Sequence, residues 1–150
     1  MQNRVQSPAD HHILQQDLFR LEKWASIWQM NFSPTKCYRL SITLKRSQSS
    51  FPYMLCGTVL EGVIHQKYLG VYITCTLSWS KQAQEIRKKA NRVLGVLQRN
   101  LSSCNPAVKE RAYMGLVRPV TEYASVAWSP YTKKDIKCVE AVQRRATRFV

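Results

Sequence analysis

Residues 80–101 read SKQAQEIRKKANRVLGVLQRNL, and this stretch decides the fold class. Ala83, Ile86, Ala90, Val93, Leu97 and Leu101 recur in steps of three and four, which predicts one helical face against a core. Opposite them stand Arg87, Lys88, Lys89 and Arg92, with few acids to compensate. A helix that needs only solubility usually mixes signs to gain i,i+4 pairs. Each of these cations alone fits an ordinary solvated face. As a set they favour a polyanion, because clustered cations displace the counterions condensed along phosphates.

The same bias runs to the end of the chain. Fifteen of the 23 Lys and Arg residues lie from Lys81 to Arg148 with only five acids, which leaves ten of the fourteen net positive charges there. Asn105-Pro106 predicts a cap and first helical turn. The following helix carries Val108, Ala112 and Leu116 and is expected to end near Arg118-Pro119. A last helix is expected from about Thr132 to the end, with Ile136, Val139, Val142, Ala146 and Phe149 inward. Lys133, Lys134, Lys137, Arg144, Arg145 and Arg148 crowd its other faces. The pattern continues to Val150 without a cap, so the chain reads as cut there.

Toward the N-terminus, residues 1–9 read as a disordered lead, although Ser7-Pro8-Ala9-Asp10 has the form of a helix start with a capping box. Leu14, Leu18, Leu21, Ala25 and Trp28 then share one face, and Pro34 closes the helix. The middle reads as β: Cys37 to Leu44 alternates, Arg46 to Pro52 forms a loop, and Tyr53 to Leu60 is a strand with Gly57 at a turn or bulge. Lys67 to Ile73 reads as one more strand, with Tyr68 and Tyr72 on the same face. Gly70 inside it fits a bulge or a close approach to the backbone. Trp24 and Trp28, one turn apart, are expected in the core, with base stacking as the alternative. Trp79 and Trp128 flank helix starts and are expected to staple the chain into them.

Composition narrows the chemistry. Nine carboxylates, no two adjacent, make a paired-acid metal site hard to build. The five cysteines are odd in number and form no C-x-x-C, and His11, His12 and His65 stand in no zinc spacing to them. Free thiols in a reducing compartment follow, with structural zinc the alternative. No phosphate loop or nucleophile elbow occurs. No apolar run approaches a membrane span or a signal core, so an intracellular protein, nuclear or cytoplasmic, is expected.

Several blocks then line up with a known pattern. Leu14-Gln15-Gln16-Asp17-Leu18, Trp24, Trp28-Gln29-Met30-Asn31-Phe32 and Lys36-Cys37 resemble the segment after the catalytic motif in reverse transcriptases of non-LTR, LINE-type retrotransposons. Lys67-Tyr68-Leu69-Gly70-Val71 resembles their next signature, as do Lys89 to Gly95 and Arg99-Asn100-Leu101. Leu116 to Pro119, Glu122 to Ser125, Trp128-Ser129-Pro130, Val142 to Ala146 and Arg148-Phe149 complete the order.

The resemblance implies an α+β chain: a C-terminal polymerase palm remnant over residues 10–78, made of a helix and a small antiparallel β element, then an all-helical thumb-like subdomain over 79–150. Tyr68, Leu69 and Gly70 would be primer-grip-like. Arg87, Lys88, Lys89, Arg92, Arg144, Arg145 and Arg148 would hold nucleic acid. The expected partners are an RNA–DNA hybrid or duplex, and the palm and fingers portion of a parent polymerase, with no membrane. The family's Ala-Asp-Asp block would lie upstream of Met1. No catalytic residue, metal ligand or cofactor is therefore assigned here, and the Mg2+ of the parent enzyme would be held elsewhere. The alternative is a small basic helical interaction protein for acidic partners, or a non-functional relic.

Overall fold

The computed structural model describes Val5 and residues 7–43 and 51–150. Expectations for Leu44, for 46–50 and for most of the first six residues lie outside them. The element order is α1 (Pro8–Ile27), a 3-10 turn (Pro34–Lys36), β1 (Tyr38–Leu40), β2 (Met54–Leu55), β3 (Thr58–Val59), β4 (Glu61–Val63), β5 (His65–Tyr68) and β6 (Val71–Thr74). Then follow α2 (Ser80–Asn100), α3 (Pro106–Ala112), a π turn (Tyr113–Val117), α4 (Arg118–Glu122) and α5 (Lys133–Thr147). The class is α+β. Two compact units divide between Gln66 and Lys67, within β5, whereas the composition shift lies near residue 78.

In the first unit α1 begins as its cap predicts. The Ser7 N–H donates to the Asp10 carboxylate at 2.7 Å, and the Asp10 N–H donates to the Ser7 carbonyl at 3.1 Å. The Gln15 amide pairs both ways with the Met54 backbone, each bond 2.9 Å, and Glu22 accepts the Cys56 N–H. These bonds seat a hairpin on α1. Tyr53 to Leu60 is accordingly two short strands, β2 and β3, joined by Cys56 and Gly57, both at positive φ (48° and 73°).

The β1 strand pairs with β4 in parallel, Arg39 opposite Gly62. A Cβ at Gly62 would sit 2.6 Å from the Arg39 guanidinium, so glycine leaves room for that side chain. Among the described residues the β structure is three separate two-stranded pairs rather than one antiparallel element.

The Trp24–Trp28 pair corrects the sequence reading. The two rings tilt against each other at 6.4 Å, but both are exposed, 46% and 64%. Gln15 and Glu22, which hold the hairpin, lie on nearly the opposite flank of α1 from Trp24 at about 100° per residue.

In the second unit Lys67 to Ile73 is also a hairpin rather than one strand. Leu69 (φ 46°) and Gly70 (φ 87°) make the two-residue turn, so Tyr68 and Tyr72 lie on opposing strands. The buried Gln82 accepts the Tyr72 N–H at 2.9 Å and ties β6 to α2. Ala90, Leu94 and Leu97 of α2 meet Val117, Val142 and Ala146 in the main core. Val71, Ile86 and Trp128 form a second cluster, with Trp79 packed beside it. Leu94 is fully buried in α2 where Val93 was expected and is only half-buried, and Ile136 at 37% exposure falls off the inner face of α5.

The helix after Asn105 does not stop at Pro119. Asn105 caps it through the Val108 N–H at 2.9 Å, and helical structure continues to Glu122. A proline removes one helical bond and its ring crowds the carbonyl four residues back. Here the backbone widens just before it, with the Arg118 N–H reaching the Tyr113 carbonyl five residues back. The wide turn absorbs Pro119 without a break. Helix α5 ends at Thr147.

Candidate nucleic-acid interface

Three contacts fix how α2 and α5 lie together. Ser80 Oγ donates to Asp135 Oδ2 at 2.7 Å, Cys138 Sγ approaches the Ala83 carbonyl at 3.9 Å, and Arg145 Nη2 donates to Gln98 Oε1 at 3.1 Å. Numbers rise together along both helices, so they run side by side in the same direction. Asp135 anchors the start of the seam. It is buried, accepts the Ser80 and Thr132 hydroxyls at 2.7 Å each, and sits in the first turn of α5, where its charge complements the helix dipole.

Helical geometry then sorts the cations. At about 100° per residue, Ser80, Arg87 and Gln98 share a line along the α5 edge of α2. Gln84, Asn91 and Gly95 form the next line outward, and Lys81, Lys88, Arg92 and Arg99 the one after it. On α5, Cys138 and Arg145 share the line at the seam. Lys134, Ala141 and Arg148 lie beside it, then Lys137 and Arg144. Arg87 Nη1 comes within 4.0 Å of Cys138 Sγ, and Arg145 reaches Gln98, so the two helices present these lines on one side of the seam. A shallow depression lined by Gln84, Arg87, Lys88, Asn91 and Arg92 occupies the α2 part of that surface.

Six of the seven sequence-predicted cations reach this surface: Arg87, Lys88, Arg92, Arg144, Arg145 and Arg148. All are exposed. Lys89 does not, because it stands about 100° beyond Lys88 on the far edge of α2. Lys81, Arg99, Lys134 and Lys137 also lie on the surface, although the sequence reading assigns none of them to it. The spacing of seven between Lys81 and Lys88, and between Arg92 and Arg99, is the signal that finds the α2 pair.

Acids compensate more than the sequence suggests. Glu85 lies 3.0 Å from Lys88 and 3.8 Å from Lys81, and Glu140 lies 3.3 Å from Arg144. The Lys88 hydrogen bond is the main cause that holds the Glu85 carboxyl below the usual range, with Lys88, Lys81 and Lys67 adding their charge. Such exposed pairs contribute little, and both acids stand on the outer rims of the cationic surface.

The tip of the β5–β6 hairpin carries Tyr68, Leu69 and Gly70. Tyr68 and Leu69 are exposed. The Tyr123 hydroxyl donates to the Leu69 carbonyl at 2.9 Å, and a Cβ at Gly70 would come 2.9 Å from the Tyr123 ring. The close approach that Gly70 permits is thus made by Tyr123. Lys67 and Lys81 each place Nζ 5.8 Å from the centre of the Tyr72 ring, which carries positive charge from α2 onto the hairpin. Among the described residues no three His, Cys, Asp or Glu side chains converge as metal ligands, and no helix is long and apolar enough to cross a membrane.

The chain is similar to two curated proteins of Drosophila melanogaster. It is 25% identical over 141 residues to the probable RNA-directed DNA polymerase from transposon BS, and 24% identical over 140 residues to that from transposon X-element. Each alignment covers 91% of this chain and 16% or 15% of the relative, so the chain spans about one sixth of their length. No protein-family profile matches it, and no solved structure matches it. The similarity agrees with the resemblance to non-LTR reverse transcriptases read from the motifs: this is a reverse-transcriptase-related chain.

Proposed function

We propose that this chain holds a nucleic-acid duplex by its backbone, with catalysis located outside it. The α2–α5 surface would grip a template–primer duplex as a polymerase thumb does. The exposed tip at Tyr68, Leu69 and Gly70 would lie near the primer strand. An RNA–DNA hybrid is the natural ligand in this reading, and the chain on its own is inactive. Phosphoryl transfer depends on positioning and charge stabilisation, and this piece supplies positioning. The Mg2+ of the complete polymerase would be held by palm residues of that enzyme, which would also be a protein partner.

One observation carries the reading. Cations from two helices separated by more than thirty residues of chain converge on one side of one seam, with the compensating acids at the rims. Electrophoretic mobility of a hybrid duplex at two salt concentrations tests it. Binding should weaken steeply as salt rises, at about 0.9 log unit of affinity per log unit of salt for each phosphate contact. Salt-insensitive binding, or none, would refute it.

A further inference from the structure

The last turn of α5 carries more than cations. Arg144-Arg145-Ala146-Thr147 contains the one adjacent pair of arginines in the sequence, with a hydroxyl two residues after it. Thr147 is exposed and is the final residue of α5. Helix ends open more readily than helix interiors. A protein kinase whose substrate cleft carries carboxylates reads guanidinium forks at fixed distances before the hydroxyl it modifies. Ser102 and Thr121 each have one arginine three residues before them, and Thr121 is buried. Only Thr147 has arginines both two and three residues before it.

The surroundings of Thr147 define what a phosphate there would do. The Thr147 hydroxyl donates to the Arg144 carbonyl at 3.0 Å. Arg144 stands one turn back on the same side of the helix, and its guanidinium pairs with Glu140 at 3.3 Å. Arg148 follows at the C-cap. A phosphothreonine carries about −1.5 to −2 charges at pH 7 and three acceptor oxygens that match arginine forks. It would draw Arg144 from Glu140 and engage Arg148, two of the cations on the α2–α5 surface. Its charge would also stand at the carbonyl end of α5, where an anion is unfavourable.

We propose that Thr147 is a phosphorylation site for an arginine-directed protein kinase, and that its phosphate switches off the α2–α5 surface. Thr147 Oγ1 attacks the γ-phosphorus of ATP, its proton passes to the kinase's carboxylate base, and the bond from that phosphorus to ADP breaks. This rests on the backbone-binding reading above and adds a control to it.

The test treats the whole chain with Mg·ATP and the catalytic subunit of cyclic-AMP-dependent protein kinase, maps the phosphate by mass spectrometry, and measures hybrid binding over a salt series. Phosphate should appear on Thr147. Hybrid affinity at about 0.1 M salt should then fall at least about tenfold, and the log–log slope by about 1.8 units, for two phosphate contacts. A phosphatase should restore both, which separates the switch from damage to the fold. Thr147→Val should bind like the unmodified chain, and kinase treatment should leave its binding unchanged. No phosphate on Thr147 would overturn the site, whatever the binding. Phosphate on Thr147 with hybrid binding unchanged, or the same loss of binding in treated Thr147→Val, would overturn the switch. Absence of salt-dependent binding by the untreated chain would overturn the backbone reading and the switch with it, while the mass spectrum still decides the site.

Discussion

Asp135 and two glycines show how much single positions decide. Asp135 is 3% exposed and accepts two hydroxyls, one from each side of the α2–α5 seam. Asp135→Ala would leave Ser80 and Thr132 without their acceptor and α5 without its first-turn charge. It should lower stability by about 2–3 kcal/mol in urea unfolding. Gly70 and Gly95 should respond to the same substitution with opposite sign. Alanine at 70 must hold positive φ and meet the Tyr123 ring at 2.9 Å. Gly70→Ala should therefore cost at least about 1–2 kcal/mol. Gly95→Ala faces no such neighbour and should stabilise by roughly 0.5–1 kcal/mol. Thermal melts of the two variants decide both. Lys89→Ala should leave the salt slope of binding unchanged, since Lys89 points away from the seam. Sequence adjacency to Lys88 hides that, because neighbours on a helix are about 100° apart.

At the scale of elements, what was legible followed from local chemistry. Ser7, Asn105 and Thr132 mark helix starts, and the structure begins helices after each. The apolar stripe of α2 is read to within one residue, Leu94 being buried where Val93 was expected. The strands were less legible for two reasons. Cys56-Gly57 and Leu69-Gly70 form hairpin turns without the Asn-Gly or Asp-Gly pair that advertises them, so one run of β-prone residues conceals two strands. The parallel β1–β4 pairing joins segments about twenty residues apart, and no local pattern specifies it. Pro119 misleads because its missing N–H is accommodated by the wide turn before it. Pro119→Ala should be nearly neutral or stabilising by chemical denaturation, whereas a proline in a regular helix interior costs about 3 kcal/mol. Trp24 and Trp28 misled in the other direction. Helical spacing identifies a face but not which flank the hairpin will cover.

For the whole chain, charge was legible in number but not in arrangement. Fourteen net positive charges suggest a polyanion ligand, yet only the α2–α5 seam shows which of them lie together. That seam depends on Asp135, a buried acid among the cations of α5, which a reading by charge runs passes over. The central claim is that Arg87 and Arg92 of α2, Arg145 of α5 and Arg148 at its C-cap belong to one phosphate-binding surface. The most direct measurement is the log–log salt slope of hybrid binding by the whole chain, with and without alanine at those four positions. The slope should fall by about 3.5 units with all four removed, and by about half of that with either helix's pair, while the melting transition is retained. A slope that stays unchanged in a folded four-site variant, or that falls for one pair only, would contradict a single surface built by both helices.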